Sequence, residues 1–166
     1  MSRSGYSEDC DGWELIRWRG AVESAIRGKR GQAMLADLVA ALDALPDKSL
    51  ASESLVNTDG EYCALGALGR ARGMDMAPID PEDRQAVARA FGVAETLAAE
   101  VMFLNDEDSS CDWLYIDVEI CGPMRGWQTH KQNVRVPNPR AGEVRWRNMR
   151  AWAAANVKTP PEGGAS

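Results

Sequence analysis

The sequence predicts an α+β fold that is predominantly α-helical: a single domain of about five or six helices with a small antiparallel β-hairpin or sheet. Three observations carry this expectation. Of 166 residues, 24 are Ala, against only 30 Val, Ile, Leu and Phe together, and Ala is the best helix former and a poor strand residue. Apolar residues recur at spacings of three and four through most of the chain, the period of a helix with one buried stripe. Only one stretch, WLYIDVEIC from Trp113, alternates strictly in twos, the period of a strand.

The elements follow in order. Residues 1–10 and 159–166 are small, polar and rich in Gly, Ser and Pro, which predicts flexible tails around a globular part at 11–158. From Asp11 the chain reads DGWELIRWRGAVESAIRG; Leu15, Trp18, Val22 and Ile26 form a helical stripe, with Asp11 as N-cap and Glu14 completing a capping box. Gly28 and Gly31 bracket a break. A second helix carries Leu35, Leu38, Val39 and Leu42 and is ended by Pro46. Asn57 to Gly60 is a turn cluster between short apolar pieces, so a small hairpin is expected there. It runs into a short helix spanning Cys63 to Arg72. Gly66 and Gly69 weaken that helix by about 1 kcal/mol each, a cost that makes sense if another element passes close to its backbone.

Asp80-Pro81-Glu82-Asp83 predicts a helix start, with Asp80 as N-cap and Pro81 at the first helical position. That helix stops at Gly92, and another runs from about Ala94 to Leu104. In the alternating stretch, Leu114, Ile116, Val118 and Ile120 define one face that is expected to be buried. Asn133 to Val136 is the partner strand, closed off by Pro137, and a 12-residue loop from 122 to 133 joins the two. Asn138-Pro139 repeats the cap-plus-proline start for a last helix carrying Val144, Trp146, Met149, Trp152 and Ala153.

The net charge of −6 excludes a uniformly basic nucleic-acid binder, but it conceals strong segregation. Residues 17–30 balance to +4, residues 31–120 to −13 and residues 121–150 to +6. The simplest consequence is that acidic and basic elements neutralise one another at the surface. The alternative is a basic face built from Arg17, Arg27, Arg30, Arg125, Arg135 and the last helix, suited to phosphate or an acidic protein.

Catalytic inventory is thin. There is no phosphate-binding loop, dinucleotide fingerprint, zinc-protease helix or nucleophile elbow. Cys10, Cys63, Cys111 and Cys121 contain no C-x-x-C pair and the sole histidine is His130, so a structural zinc site lacks its ligands. Cys63 stands near a helix N-terminus, where a thiol pKa falls, and its only available base is His130. It reads better as a small buried hydrophobe. Asn105, Asp106, Glu107, Asp108 and Asp112 cluster acidic oxygens, with Asp106, Asp108 and Asp112 the candidate cation ligands, but the order and glycine of a calcium loop are missing. Asp117 and Glu119 stand two apart on a strand without the lysine of a metal-dependent nuclease. No catalytic residue, metal or cofactor is assigned. No apolar run reaches membrane-spanning length and no signal-peptide core precedes the fold, so reduced cysteines in a cytoplasmic protein with no membrane partner are expected.

The most exposed-looking feature is Gly122 to His130, GPMRGWQTH. A loop of this length in a small domain suggests a function, and Trp and Arg are the residues most enriched at binding hot spots. Arg125, Trp127, Gln128, His130 and Arg135 are therefore the candidate partner-binding residues.

Trp18 to Val22 and Ala25 to Ala33, the run Asp59-Gly60-Glu61-Tyr62-Cys63-Ala64-Leu65-Gly66-Ala67-Leu68-Gly69-Arg70-Ala71-Arg72-Gly73, Asn105-Asp106-Glu107 and Arg145-Trp146 together give the chain a resemblance. It resembles a group of small, functionally uncharacterised proteins encoded by bacteriophages and prophages, over most of 10–157, with 113–137 as a strand-loop-strand insertion. The resemblance transfers no reaction and no catalytic residue. It implies a phage-type product acting inside a bacterial host cell by non-enzymatic binding to a host or phage protein, with inhibition of a host defence system as one form of that role. The alternatives left by the residues are a Cys63-centred hydrolase or transferase, and nucleic-acid binding through segments 17–30 and 121–150.

Overall fold

A computed structural model describes residues 3–5, 12–107, 112–120 and 130–158. Within them the order is α1 (Gly12–Arg27), α2 (Lys29–Ala44), α3 (Ala64–Ala71), α4 (Arg84–Phe91), α5 (Glu95–Asp106), β1 (Trp113–Ile120), β2 (His130–Pro137) and α6 (Ala141–Asn156). The predicted helix-rich α+β class is the observed one. α2 packs against α1, α3 and α6, while α5 packs against α1, α3, α4 and α6. Leu35, Leu38, Leu42, Leu65, Leu97 and Met149 lie at the centre of the resulting core.

The α1–α2 break falls at Gly28, whose extended backbone starts α2. A Cβ on Gly31 would stand 2.0 Å from the carbonyl oxygen of Ala25, so this glycine lets the end of α1 rest on the first turn of α2. Leu50 and Leu55 fill the core from the segment that follows α2. The expected small hairpin is there in minimal form, as one antiparallel bridge between Val56 and Tyr62. Its turn is held by Asn57, whose Oδ1 accepts from the N–H groups of Asp59 and Glu61, an Asx turn.

α3 begins one residue after Cys63, which is its N-cap: Sγ accepts from the Gly66 N–H at 3.4 Å. A Cβ on Gly66 would lie 1.8 Å from the Leu55 carbonyl oxygen, and one on Gly69 would lie 2.6 Å from the Met76 sulfur. Both glycines therefore admit a neighbour at backbone contact, as their spacing predicts.

Four expectations need correction. α4 starts at Arg84, capped by Asp83, whose side chain accepts from Gln85 and Ala86 N–H groups. Asp80 instead holds the preceding turn through the N–H of Glu82. The carbonyl of Pro81, which a helix from that point would use internally, accepts from Arg3 Nε. Arg3 and Ser4 are accordingly buried and not part of a loose tail; Arg3 Nη1 pairs with Asp106 at 2.9 Å and Ser4 N–H donates to Glu107. α6 starts at Ala141, because Asn138 and Pro139 form the turn before it, with Asn138 accepting from Ala141 and Arg140 N–H groups.

The fourth correction concerns the sheet. β2 starts at His130, so residues 130–133 belong to a strand and the loop expected at 122–133 is shorter. The register runs unbroken from Trp113↔Pro137 to Ile120↔His130. The face expected to be buried is half-exposed, with Leu114 and Ile116 each 43% accessible. The strands pair extensively with each other, and no described helix packs substantially against either. No described helix is long and apolar enough to cross a membrane.

Candidate functional site

The hairpin is an arm fastened at its base. Asp112, the residue before β1, accepts from Arg145 Nη2 at 2.7 Å, and its carbonyl accepts from the Asn138 N–H at 2.8 Å just beyond β2. Arg145 is buried in α6 and its Nη1 donates to the Leu50 carbonyl at 2.7 Å. One guanidinium thus ties the arm, α6 and the segment after α2 together. Burying it is tolerable because two of its nitrogens meet oxygen partners.

Beyond the base, β-geometry sorts the side chains to two faces. Leu114, Ile116 and Val118 share one face with Val134 and Val136. Trp113, Tyr115, Asp117 and Glu119 share the other with Lys131, Asn133 and Arg135. On the second face, the Arg135 guanidinium lies 4.0 Å from the Trp113 ring centre, a cation–π contact. Asn133 Nδ2 donates to Asp117 at 3.1 Å. Trp113 is 38% and Tyr115 68% accessible. The apolar face continues at its foot into a groove of about 640 Å³, lined by Leu114 of the arm and by Val144 and Trp146 of α6. Lys48 also lines it, with its ammonium 5.5 Å from the Trp146 ring centre.

Of the residues singled out from sequence, Arg135 lies on this arm and His130 sits at the far end of β2, opposite Ile120. Arg125, Trp127 and Gln128 fall outside the described residues. The exposure of β1 itself was missed. Its signal was present: the sequence predicts only two strands for this sheet, among the described residues no third strand covers the apolar face, and a two-stranded sheet cannot bury both of its own faces.

The other chemical candidates are absorbed by the body of the fold. Cys63 is buried, and burial raises its pKa, outweighing the Gly66 N–H bond that lowers it. At neutral pH it is a protonated thiol, which is a poor nucleophile. His130 belongs to a strand that α3 does not pack against. Asn105 donates to the Ala51 carbonyl and accepts from the Ala64 N–H, which staples the start of α3 to α5. Asp106 is paired with Arg3 and also accepts from the Glu53 N–H. That bond holds Glu53 at φ +65°, an unusual conformation for a residue with a side chain. Asp112 is taken by Arg145, and Asp108 lies outside the described residues. Among the described residues, no three His, Cys, Asp or Glu side chains are grouped to hold a metal ion.

The charge segregation resolves partly into pairing. In α6, Arg145 and Arg150 meet Asp112 and Asp43 of the acidic segment, and Arg140, just before the helix, meets Glu143. On the first basic segment, Arg27 pairs with Glu23, whereas Arg17, Arg19, Lys29 and Arg30 are exposed with no ion pair among the described residues. No protein-family model matches the chain, and neither a curated protein nor a solved structure is similar to it at significance.

Proposed function

We propose that this chain works by non-enzymatic binding of a host or phage protein, and that the β-hairpin is the element that binds. One observation carries the reading. Four large apolar side chains of β1, Trp113, Leu114, Tyr115 and Ile116, are 38–68% accessible on an arm against which no described helix packs substantially. An uncovered hairpin of this kind is marginal in water, and large apolar side chains left exposed on both of its faces mark an interaction site. Trp, Tyr and Arg are also the side chains that most often dominate binding energy, which brings Arg135 into the site beside Trp113. The resemblance of the body to phage and prophage proteins supports a partner inside an infected bacterium, with a host defence component among the candidates.

The test uses Tyr115→Ala combined with Ile116→Ser. In affinity purification from phage-infected cells, this double variant should lose the protein captured by the parent chain while melting within a few degrees of it. Capture that persists undiminished would sink the reading.

Nucleic-acid binding is the second reading, supported by the four unpaired cations Arg17, Arg19, Lys29 and Arg30. It requires an affinity for DNA or RNA that falls steeply with salt. A gel shift at low ionic strength decides it, and no shift removes it.

A further inference from the structure

The two strands of the arm expose very different edges. Among the described residues the sheet has only β1 and β2, and each strand leaves one row of backbone N–H and C=O groups unpaired there. Proteins guard such rows with charged residues, lysine above all, and with proline, because an open row templates another strand. β2 carries Lys131, Arg135 and Pro137, and proline has no N–H to offer. β1 has no proline and no lysine. All four of the arm's strongly exposed apolar residues are on β1, and its two charges, Asp117 and Glu119, are acidic and two residues apart on one face.

Resting on the reading of the arm as the binding element, we infer that β1 is the docking edge and that it accepts an extended segment of a partner protein in which apolar and basic residues alternate. An added strand satisfies the free backbone row of β1. Its apolar side chains extend the face of Leu114, Ile116 and Val118. Its intervening side chains fall beside Asp117 and Glu119, about 5 Å away across the strand gap, where Lys or Arg is attracted and Asp or Glu is repelled. Asp117 and Glu119 thereby set the charge of the partner segment. The same charges disfavour a second copy of this chain in the registers centred near Val118, where symmetric β1–β1 pairing sets these carboxylates against their own kind.

Two labelled seven-residue peptides test this with the full-length chain, one alternating valine with lysine and one alternating valine with glutamate. Fluorescence anisotropy at low salt should show the lysine peptide binding about tenfold tighter or more, from two attractive pairs in place of two repulsive ones. Binding should slow amide hydrogen exchange along β1 and leave β2 unchanged. Asp117→Lys combined with Glu119→Lys should reverse the preference. Equal binding of the two peptides, binding of neither, or a preference that survives the β1 reversal would each overturn the inference. A dimer in sedimentation that strengthens with salt would overturn it in favour of self-pairing. Should neither peptide bind while capture from infected cells still depends on the arm, only the edge inference fails; should capture persist without the arm, the functional reading fails with it.

Discussion

The junction of α3 with α5 and the β-hairpin are opposites in how they spend their unusual residues. At the junction, every residue that looks chemically suggestive has a partner within the body. Cys63 caps α3, Gly66 takes the Leu55 carbonyl against its backbone, Asn105 bridges Ala64 and Ala51, and Asp106 holds Arg3 and Glu53. On the hairpin, the residues look like ordinary strand residues, yet their apolar surface is left over. Dense motifs here mark packing and capping, while interaction capacity lies where the fold has failed to consume its own apolar area.

The contrast can be broken most sharply by paired truncations. Leu38→Ala in the core should cost about 2–5 kcal/mol of stability, since it removes a fully buried side chain and leaves a cavity. Ile116→Ala on the arm should cost about 0.5 kcal/mol or less, as surface substitutions do. Urea denaturation of both variants measures the gap; a comparable loss at Ile116 would mean the arm is part of the core.

Asn105→Ala should follow in size, at about 1–3 kcal/mol for each buried backbone group it leaves unmet. Partner capture should be unaffected at temperatures where the variant stays folded, and selective loss of capture would move the site to the junction. Arg145→Met should cost about 1–3 kcal/mol by stranding the Leu50 carbonyl and freeing Asp112. It sharpens the comparison because it loosens the arm at its base: hydrogen exchange should quicken along β1 and β2 more than in α2, and uniform quickening would contradict the fastening role.

The smallest effect is electrostatic. The hydrogen bond from Arg150 lowers the pKa of Asp43 below its ordinary 3.8. A depressed folded-state pKa stabilises the protein above the unfolded value, and that contribution disappears as pH falls through the folded value. Asp43→Asn should therefore narrow the parent's acid-limb loss below about pH 4, slightly, because both side chains are substantially exposed. Stability curves between neutral and acid pH would show the two chains converging; divergence toward acid would reverse the assignment.

Much of this was legible before the fold. Helical stripes placed α1, α2, α5 and α6, Gly92 ended α4 in a left-handed cap, and the pair Gly66 and Gly69 foretold close backbone contact. What was not legible depended on distant partners. The start of α4 moved to Asp83, and Arg3, from the far end of the sequence, binds the Pro81 carbonyl there. The first four residues of β2 are His, Lys, Gln and Asn, weak strand formers that owe their conformation to pairing with β1. Alternation predicted a strand with one apolar face correctly, but periodicity says only that such a face exists. Whether anything covers it is a property of the whole fold.

The most direct measurement excises the arm. The Asp112 carbonyl already accepts from the Asn138 N–H, so a two-residue Asn-Gly turn can replace 113–137 without moving the body. The excised chain should keep the parent's helical circular dichroism and melt within a few degrees of it, and should capture no partner from infected cells. An excised chain that folds and still captures the partner would contradict the binding role of the arm.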